Sequence, residues 1–241
     1  HHRHPLKDKA PVTDGPGTEA VSGQRSAPEP VTAVMDSAGN WLPRLLSEVE
    51  SGLTASAENG GPLSPDAVRT LQAGGKRMRP MLVLLCAGPE AGSQAVRAGV
   101  AVELVHMASL VHDDVLDRAP LRRGLPTVYA EAGRDRATAL GDMLFSTAFR
   151  ILVDGGDVKA VTEISDTAVD LARGELMQRR GAFNTSLEET EYLDRCRLKT
   201  ARLFEAACVL GRDSVGGDDS DVVALFGHRI GLAFQMLDDV L

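Results

Sequence analysis

Three aspartates stand at the end of an apolar helical run. Asp113, Asp114 and Asp117 are followed by Pro120, which makes Ala119 the expected end of the helix. Because Asp113 and Asp117 are four residues apart, they share one face. They fall in the C-terminal turns, where the helix dipole favours cations. Such carboxylates suit Mg²⁺, which completes its shell with water and substrate phosphates. A solvated acidic helix end is the simpler alternative.

A second pair of aspartates counts against that alternative. Asp238 and Asp239 also follow an apolar helical run, which begins at Phe234. Gly231 and Gly227 lie one and two turns before Phe234. A glycine inside a helix costs about 1 kcal/mol relative to alanine, so these two predict close packing of the helix against its neighbours. Gly141 and Gly174 are interpreted in the same way.

A short basic segment, Gly-Gly-Lys-Arg-Met-Arg-Pro, spans residues 74–80. The glycines allow a tight turn, and Pro80 suits the first turn of a following helix. Three cations beside a helix N-terminus form an anion site that suits phosphate, although a basic surface loop is an equal alternative. The chain has five lysines, at 7, 9, 76, 159 and 199. A compact lysine charge at Lys76 favours the phosphate interpretation.

The helix that leads to the first aspartates carries a histidine on the same face. At about 100° per residue, Val102, His106, Ser109, Asp113 and Asp117 fall in one narrow arc. A lone histidine on an apolar helix is more often a core residue than a ligand. Its place two turns below the aspartates favours a position in the same cavity.

Composition limits the other possibilities. With 241 residues, 43% of them hydrophobic, the chain can bury a core as one or at most two domains. A net charge of −8 gives no basic footprint for nucleic acid. Three cysteines, distant in sequence, indicate neither a disulfide framework nor a zinc site, which fits a reducing cytoplasm. The longest apolar run, residues 81–87, is too short to span a bilayer, so any membrane contact is expected to be peripheral.

The order of segments predicts an all-α protein. Residues 1–34 are rich in Pro, Gly, Ser and charge and are interpreted as a disordered leader or tag remnant. From Trp41 onward, apolar residues recur at helical spacing without a convincing strand. About eight helices are expected. The breaks between them are predicted near residues 59–65, 87–92, 118–126, 154–157, 181–186 and 212–220.

Seven ordered motifs closely resemble those of the trans-isoprenyl diphosphate synthases, or polyprenyl synthetases, over about Trp41 to Leu241. The resemblance implies an all-α isoprenoid synthase bundle of the class I terpenoid synthase type around a central cavity, usually as a homodimer. The motifs are Gly-Gly-Lys-Arg-Met-Arg-Pro, Glu-Leu-Val-His-Met-Ala-Ser-Leu-Val-His-Asp-Asp-Val-Leu-Asp, Leu-Arg-Arg-Gly-Leu-Pro-Thr-Val, Gly-Asp-Met-Leu, Arg-Gly-Glu, Lys-Thr-Ala and Phe-Gln-Met-Leu-Asp-Asp.

The resemblance also implies roles for individual residues. Asp113 and Asp117 would bind Mg²⁺ from one side and Asp238 from the other, all bridging an allylic diphosphate. Lys199 would act with these aspartates in catalysis. The same diphosphate would be held by Arg122, Lys199, Thr200 and Gln235. The diphosphate of isopentenyl diphosphate would be held by Lys76, Arg79, His106 and Arg123.

The family pattern further bears on product length and on the extent of the domain. Residues four and five before the first aspartate form a floor for the growing chain; here they are Ser109 and Ala108, both small. Helix geometry directs Ser109 towards the cavity, whereas the assignment of Ala108 to the floor rests on the resemblance alone. A medium- or long-chain product is therefore expected.

The pattern also implies a third aspartate after Leu241 and further helices, so that the domain at 35–241 is expected to be incomplete at its C-terminal end.

Three alternative functions remain. A geranylgeranyl diphosphate synthase would share the whole site. A partner subunit of a hetero-oligomeric synthase would be expected to lose aspartates, whereas the first motif is whole. A class I terpene cyclase acts on a single diphosphate, so it has no use for the second set of cations.

Overall fold

The computed structural model describes residues 29–181, 186 and 188–240. This part of the chain is almost entirely helical, which confirms the predicted all-α fold. It comprises α1 (Glu29–Ala38), α2 (Trp41–Glu58), α3 (Ser64–Gln72), α4 (Met78–Ala87), α5 (Ser93–Asp117), β1 (Leu121–Arg122), β2 (Leu125–Pro126), α6 (Val128–Ala132), α7 (Arg134–Asp154), α8 (Val158–Arg180), α9 (Glu189–Cys196), α10 (Arg202–Asp213) and α11 (Ser220–Val240). A 3₁₀ turn at Gly61–Leu63 and a π-helical turn at Arg197–Ala201 complete it.

Helix α5 is the centre of the bundle. It packs against α2, α4, α7 and α10. Leu104 and Val105 in its middle are fully buried. By length and composition alone α5 could cross a membrane, but 67% of its apolar window is buried inside the protein. That burial identifies α5 as a core helix and accounts for its apolar composition.

The folded domain begins six residues earlier than predicted. The first helix begins at Glu29 rather than after residue 34. Val31, Met35 and Ala38 recur at helical spacing and pack against the core. One apolar face on so short a helix is easily missed among the polar residues before it. Residues 1–28 lie outside the described part, so the predicted leader there is not tested.

The six predicted breaks coincide with helix ends. The estimate of eight helices is nevertheless too low, because eleven are present in the described residues. Breaks at Gly39–Asn40 and at Gly133 were not predicted. Both Gly39 and Gly133 have a positive φ, of 79° and 86°, which ends one helix and starts the next within two residues.

The predicted close packing of the helical glycines is confirmed. A Cβ added at Gly231 would lie 2.5 Å from the Cα of Ala201, and one at Gly227 would lie 2.7 Å from the carbonyl oxygen of Phe204. These two glycines let α11 lie directly on α10. Gly174 brings α8 against the π-helical turn, where a Cβ would lie 2.7 Å from the backbone nitrogen of Lys199.

All three cysteines are free thiols. Cys86 and Cys208 are far apart in sequence, but α4 and α10 bring their thiols within hydrogen-bonding distance. That hydrogen bond lowers the pKa of Cys86 and raises the pKa of Cys208. Sequence spacing alone gave no sign of this contact.

We expect Gly231→Ala to destabilise the protein by about 1–3 kcal/mol, because the added Cβ would strike the backbone of Ala201 in the π-helical turn. Helix propensity alone would predict a gain of about 1 kcal/mol for the same change. Thermal and urea unfolding of the variant therefore test the contact by the sign of the effect. A stabilised Gly231→Ala protein would show that α11 is not packed as described.

Candidate active site

The carboxylates at the end of α5 meet cations from other helices. Lys199 Nζ lies 3.6 Å from Asp113 Oδ2. Arg179 Nη2 lies 3.0 Å from Asp117 Oδ1. Glu175 on α8 contacts both cations, at 2.7 Å from Lys199 and 3.1 Å from Arg179. The predicted residues Asp113, Asp117 and Lys199 are thus together, in a cluster that also contains two α8 residues not assigned to the site from sequence.

Negative charge is crowded in this cluster. Burial, with Glu175 and Asp117 close by, raises the pKa of Asp113 to about 6, although Lys199 opposes the shift. Burial acts in the same sense on Glu175, but the hydrogen bond and charge of Lys199 outweigh it and lower the pKa of Glu175. Asp113 and Glu175 also hydrogen bond to each other. Three acidic groups in one place thus rely on two cations for compensation.

The donor set of this cluster fits a magnesium ion. Asp113 and Asp117 present hard oxygen ligands from one helix face, and a divalent cation would relieve the crowding that holds the pKa of Asp113 high. Within the described ranges, no three His, Cys, Asp or Glu side chains are grouped to hold an ion alone. Water and diphosphate oxygens would complete the shell, which is how Mg²⁺ usually binds.

A π-helical turn connects this cluster to the second aspartate pair. Residues 197–201 interrupt the helix that otherwise runs from α9 into α10. Such turns often occur at functional sites. Lys199 contacts Asp113, while the hydroxyl of the next residue, Thr200, donates to the side-chain oxygen of Gln235 on α11. Two consecutive residues therefore reach both aspartate helices.

The two aspartates of α11 have different surroundings. Asp239 accepts hydrogen bonds from the Tyr192 hydroxyl and from Gln235 Nε2, each at 2.7 Å. Asp238 is exposed and has no hydrogen bond or ion pair to any residue that the structure describes. Asp239 thus fixes the end of α11, and Asp238 presents a carboxylate that is available to a ligand.

A cavity of about 190 Å³ lies beside α5, below the aspartates. Its walls come from α3, α5, α6 and the β1–β2 hairpin. Three of the predicted site residues, His106, Arg122 and Arg123, line it, together with Arg77, Glu103 and Asp114. Met107, Leu110 and Val111 supply apolar walls.

The cations near the cavity fall into two groups. Arg122 donates from Nε and Nη2 to Asp114 Oδ1, at 2.9 and 2.8 Å. Arg77 is likewise paired with glutamates. The second group is formed by Lys76, Arg79 and Arg123, which the resemblance assigns to one diphosphate. Among the described residues, none of these three cations has a carboxylate oxygen within 4 Å.

Arg79 and His106 owe their state to burial. Burial lowers the pKa of Arg79 to about 10, with partial compensation from Glu103, so its guanidinium remains charged at neutral pH. It lies 4.5 Å above the Phe204 ring, and its buried Nε has no hydrogen-bond partner in the described structure. Burial, followed by Arg79 and Arg123, holds the pKa of His106 well below its usual value. His106 is therefore neutral and can donate one N–H without adding charge.

The two residues of the predicted floor differ in position. Ala108 is fully buried in the core. Ser109 is half-buried, and its hydroxyl donates to the His106 carbonyl at 2.7 Å.

Lys76 is exposed at the start of α4 and does not line the cavity.

We expect Asp113→Asn to stabilise the metal-free protein at pH 7 while weakening Mg²⁺-dependent pyrophosphate binding about tenfold or more. The folded-state pKa of about 6 exceeds the usual 3.8, so the folded protein binds more protons between these values. The unfolding free energy of the unmodified protein should fall as pH rises from about 4 to about 6, and the Asp113→Asn variant should lack this fall.

Asp166→Asn, at an exposed position on α8, is the control. Unfolding curves across pH and calorimetric titration are the measurements; unchanged pyrophosphate binding would contradict the metal assignment.

Known proteins share much of this sequence. The sequence model for the polyprenyl synthetase family matches residues 63–241. Heptaprenyl diphosphate synthase component 2 of Geobacillus stearothermophilus is 41% identical over 201 residues, which cover 81% of this chain and 63% of that protein. Octaprenyl diphosphate synthase of Haemophilus influenzae is 37% identical over 176 residues, which cover 71% of this chain and 53% of that protein.

Solved structures give the same result. The decaprenyl diphosphate synthase of Rhodobacter capsulatus superposes with a TM-score of 0.80 at 31% identity, covering 85% of this chain and 65% of that one. The geranylgeranyl pyrophosphate synthetase of Pyrococcus horikoshii gives 0.76 at 30% identity, covering 83% and 66%. The chain spans about three fifths of the length of three curated relatives that it matches, at 63, 58 and 61%. On the evidence of the family model, the relatives and the shared fold, the chain belongs to the polyprenyl synthetase family.

Proposed function

We propose that the whole protein is a Mg²⁺-dependent trans-prenyltransferase. It condenses isopentenyl diphosphate with an allylic diphosphate to make a medium- or long-chain polyprenyl diphosphate. The observation that carries the proposal is that two groups of opposite charge lie against α5. The carboxylates of Asp113 and Asp117 are paired with Lys199 and Arg179. Arg123, which lines the cavity, and Arg79, whose charge acts on His106, have no carboxylate partner among the described residues.

The first site would hold the allylic diphosphate. Bound magnesium neutralises the charge that develops on the departing diphosphate. Asp113 and Asp117, with Asp238 from α11, would orient that diphosphate, and Lys199 would contribute a positive charge from the π-helical turn. The allylic C–O bond breaks and the diphosphate leaves with the electron pair. The alkene of isopentenyl diphosphate then forms the new C–C bond, and a proton passes from carbon to the diphosphate.

The second site would hold the diphosphate of isopentenyl diphosphate without metal. Lys76, Arg79 and Arg123 supply positive charge, and neutral His106 donates a hydrogen bond. The apolar wall of Met107, Leu110 and Val111 excludes water from the path between the two substrates. This exclusion protects the carbocation from quenching. A cyclase has no use for this second site, which disfavours that alternative.

Two features of the environment belong to the proposal. The free thiols fit a cytoplasmic enzyme. A homodimer is the expected assembly of the family. A specific observation also favours a second candidate, one subunit of a two-component synthase, because the Geobacillus relative is named component 2.

Incubation of the full-length protein with Mg²⁺, labelled isopentenyl diphosphate and each allylic primer tests the function directly. We expect products longer than twenty carbons, sized by chromatography, that disappear when magnesium is chelated. Activity only after addition of a second component would favour the two-component alternative. A single cyclised hydrocarbon, formed without isopentenyl diphosphate, would refute the proposal.

We expect Lys76→Ala to raise KM for isopentenyl diphosphate about tenfold to a hundredfold with little change for the allylic primer, because a charge-assisted hydrogen bond contributes about 1.5–3 kcal/mol. Lys199→Ala should have the reverse selectivity. Lys159→Ala is the matched control, since Lys159 is exposed on α8. Separate titration of the two substrates decides the question, and equal losses for both would contradict the division into two sites.

We expect Ser109→Phe to shorten the product by one or more five-carbon units, because the half-buried Ser109 lies one turn below the aspartates and a phenyl ring would block the path of the chain. Ser109→Ala keeps that path open and should leave product length unchanged. Ala108→Phe fills a fully buried position, so its stability must be measured beside its product. A fifteen-carbon product from the unmodified enzyme, unaltered in the variants, would show that another element sets the length.

A further inference from the structure

Arg77 lies in the basic segment, but its side chain is already paired with two glutamates. Its Nε donates to Glu50 on α2, and its Nη1 lies 3.1 Å from Glu103 Oε1 on α5. Its Nη2 also lies 3.4 Å from the carbonyl oxygen of Leu71 on α3. The side chain is only 15% exposed. Arg77 therefore joins the start of α4 to three other helices.

The backbone around Arg77 is shaped for this arrangement. Arg77 itself adopts a left-handed conformation with φ of 51°, which L-residues rarely adopt without compensation. Gly75 lies against two guanidinium groups: a Cβ there would be 2.8 Å from Arg77 Nη1 and 3.7 Å from Arg123 Nη1. The same point lies 3.6 Å from Glu103 Oε1. The glycine thus lets Arg77, Arg123 and Glu103 meet beneath the loop that carries Lys76.

Glu103 is difficult to explain as a direct contributor to anion binding. Its side chain is 4% exposed and lines the same cavity as His106 and Arg123. A carboxylate in a cavity for diphosphate repels the ligand. Arg77 is its only ion-pair partner among the described residues. The pair of Glu103 with Arg77 spans several elements and therefore constrains how they lie relative to one another.

We propose that Arg77 and Glu103 are positioning residues for the second diphosphate site, in which their ion pair holds the loop of Lys76 in place beside Arg123. The inference rests on the proposed function and deepens it. Arg77 is thereby distinguished from the neighbouring cations Lys76 and Arg79, which have no carboxylate partner. Its planar fork is required, because a lysine could not reach Glu50, Glu103 and the Leu71 carbonyl together.

The sign of the effect of Glu103→Gln tests this inference. If Glu103 acts only through its charge, its removal lessens repulsion and lowers KM for isopentenyl diphosphate. If it positions Arg77, the same change raises that KM, and we expect a rise of about tenfold, equivalent to about 1.4 kcal/mol, with the allylic KM unchanged. A lowered or unaltered KM would overturn the inference.

A double-mutant cycle separates positioning from contact. Arg77→Lys alone should raise KM for isopentenyl diphosphate, but in a Lys76→Ala background it should add much less than it does alone, because Arg77 acts partly through Lys76. Independent contact with the diphosphate would give equal losses in both backgrounds and would overturn the proposal. Arg150→Lys, in an exposed ion pair with Asp154, is the matched control.

A measurement without substrate keeps the test independent of turnover. The Gly74 amide donates to the Leu71 carbonyl, which Arg77 also contacts. Arg77→Lys should therefore speed amide hydrogen exchange at Gly74, measured by NMR or mass spectrometry, while exchange in the centre of α7 stays unchanged. Unaltered exchange at Gly74 would overturn the inference. An inactive wild-type enzyme would instead refute the proposed function and leave this result standing.

Discussion

The site depends on the neutralisation of the acidic residues of the central helix. Helix α5 carries four carboxylates, of which those of Glu103 and Asp114 are the most buried. Each of the four is met by a cation from a different element, and the buried ones need that partner because an unpaired buried charge is strongly unfavourable. The pairs are Glu103 with Arg77, Asp114 with Arg122, Asp113 with Lys199 and Asp117 with Arg179. The loop before α4, the hairpin, the π-helical turn and α8 are thus all positioned against α5.

The four pairs differ in how readily they can change partners. The carboxylates of Glu103 and Asp114 are 4% and 9% exposed, so their ion pairs are part of the permanent structure. Asp117 is 56% exposed, and an exposed ion pair contributes about 0–1 kcal/mol. In the proposed function, exchange of Arg179 for a metal ion and diphosphate at Asp117 would be correspondingly easy. The buried pairs define the shape, and the exposed end of α5 is free for binding.

Local rules predicted much of this arrangement from sequence. Helical spacing placed Asp113, His106 and Ser109 on one face of a helix, and glycines at 227 and 231 predicted close packing of α11. The contact between Arg122 and Asp114 was not predicted, since Arg122 had been assigned to a diphosphate. Ion pairs between distant segments, the thiol contact and the π-helical turn depend on tertiary packing, which no local pattern records. Glu175 and Arg179 are four residues apart on α8, a signal that ordinarily indicates only a surface ion pair.

The same pairings bear on how the two proposed diphosphate sites could lie close together on one helix. Asp113 would belong to the first site, and the next residue, Asp114, holds Arg122. The residue after Arg122, Arg123, lies against Gly75 at the second site. Two diphosphates close together would repel each other strongly in a medium of low dielectric constant. The Arg122–Asp114 pair adjoins Asp113 and Arg123 in sequence and adds no net charge to either proposed site, while each site would supply its own cations. Because this pair joins α5 to the hairpin, displacement of either one would move groups in both sites.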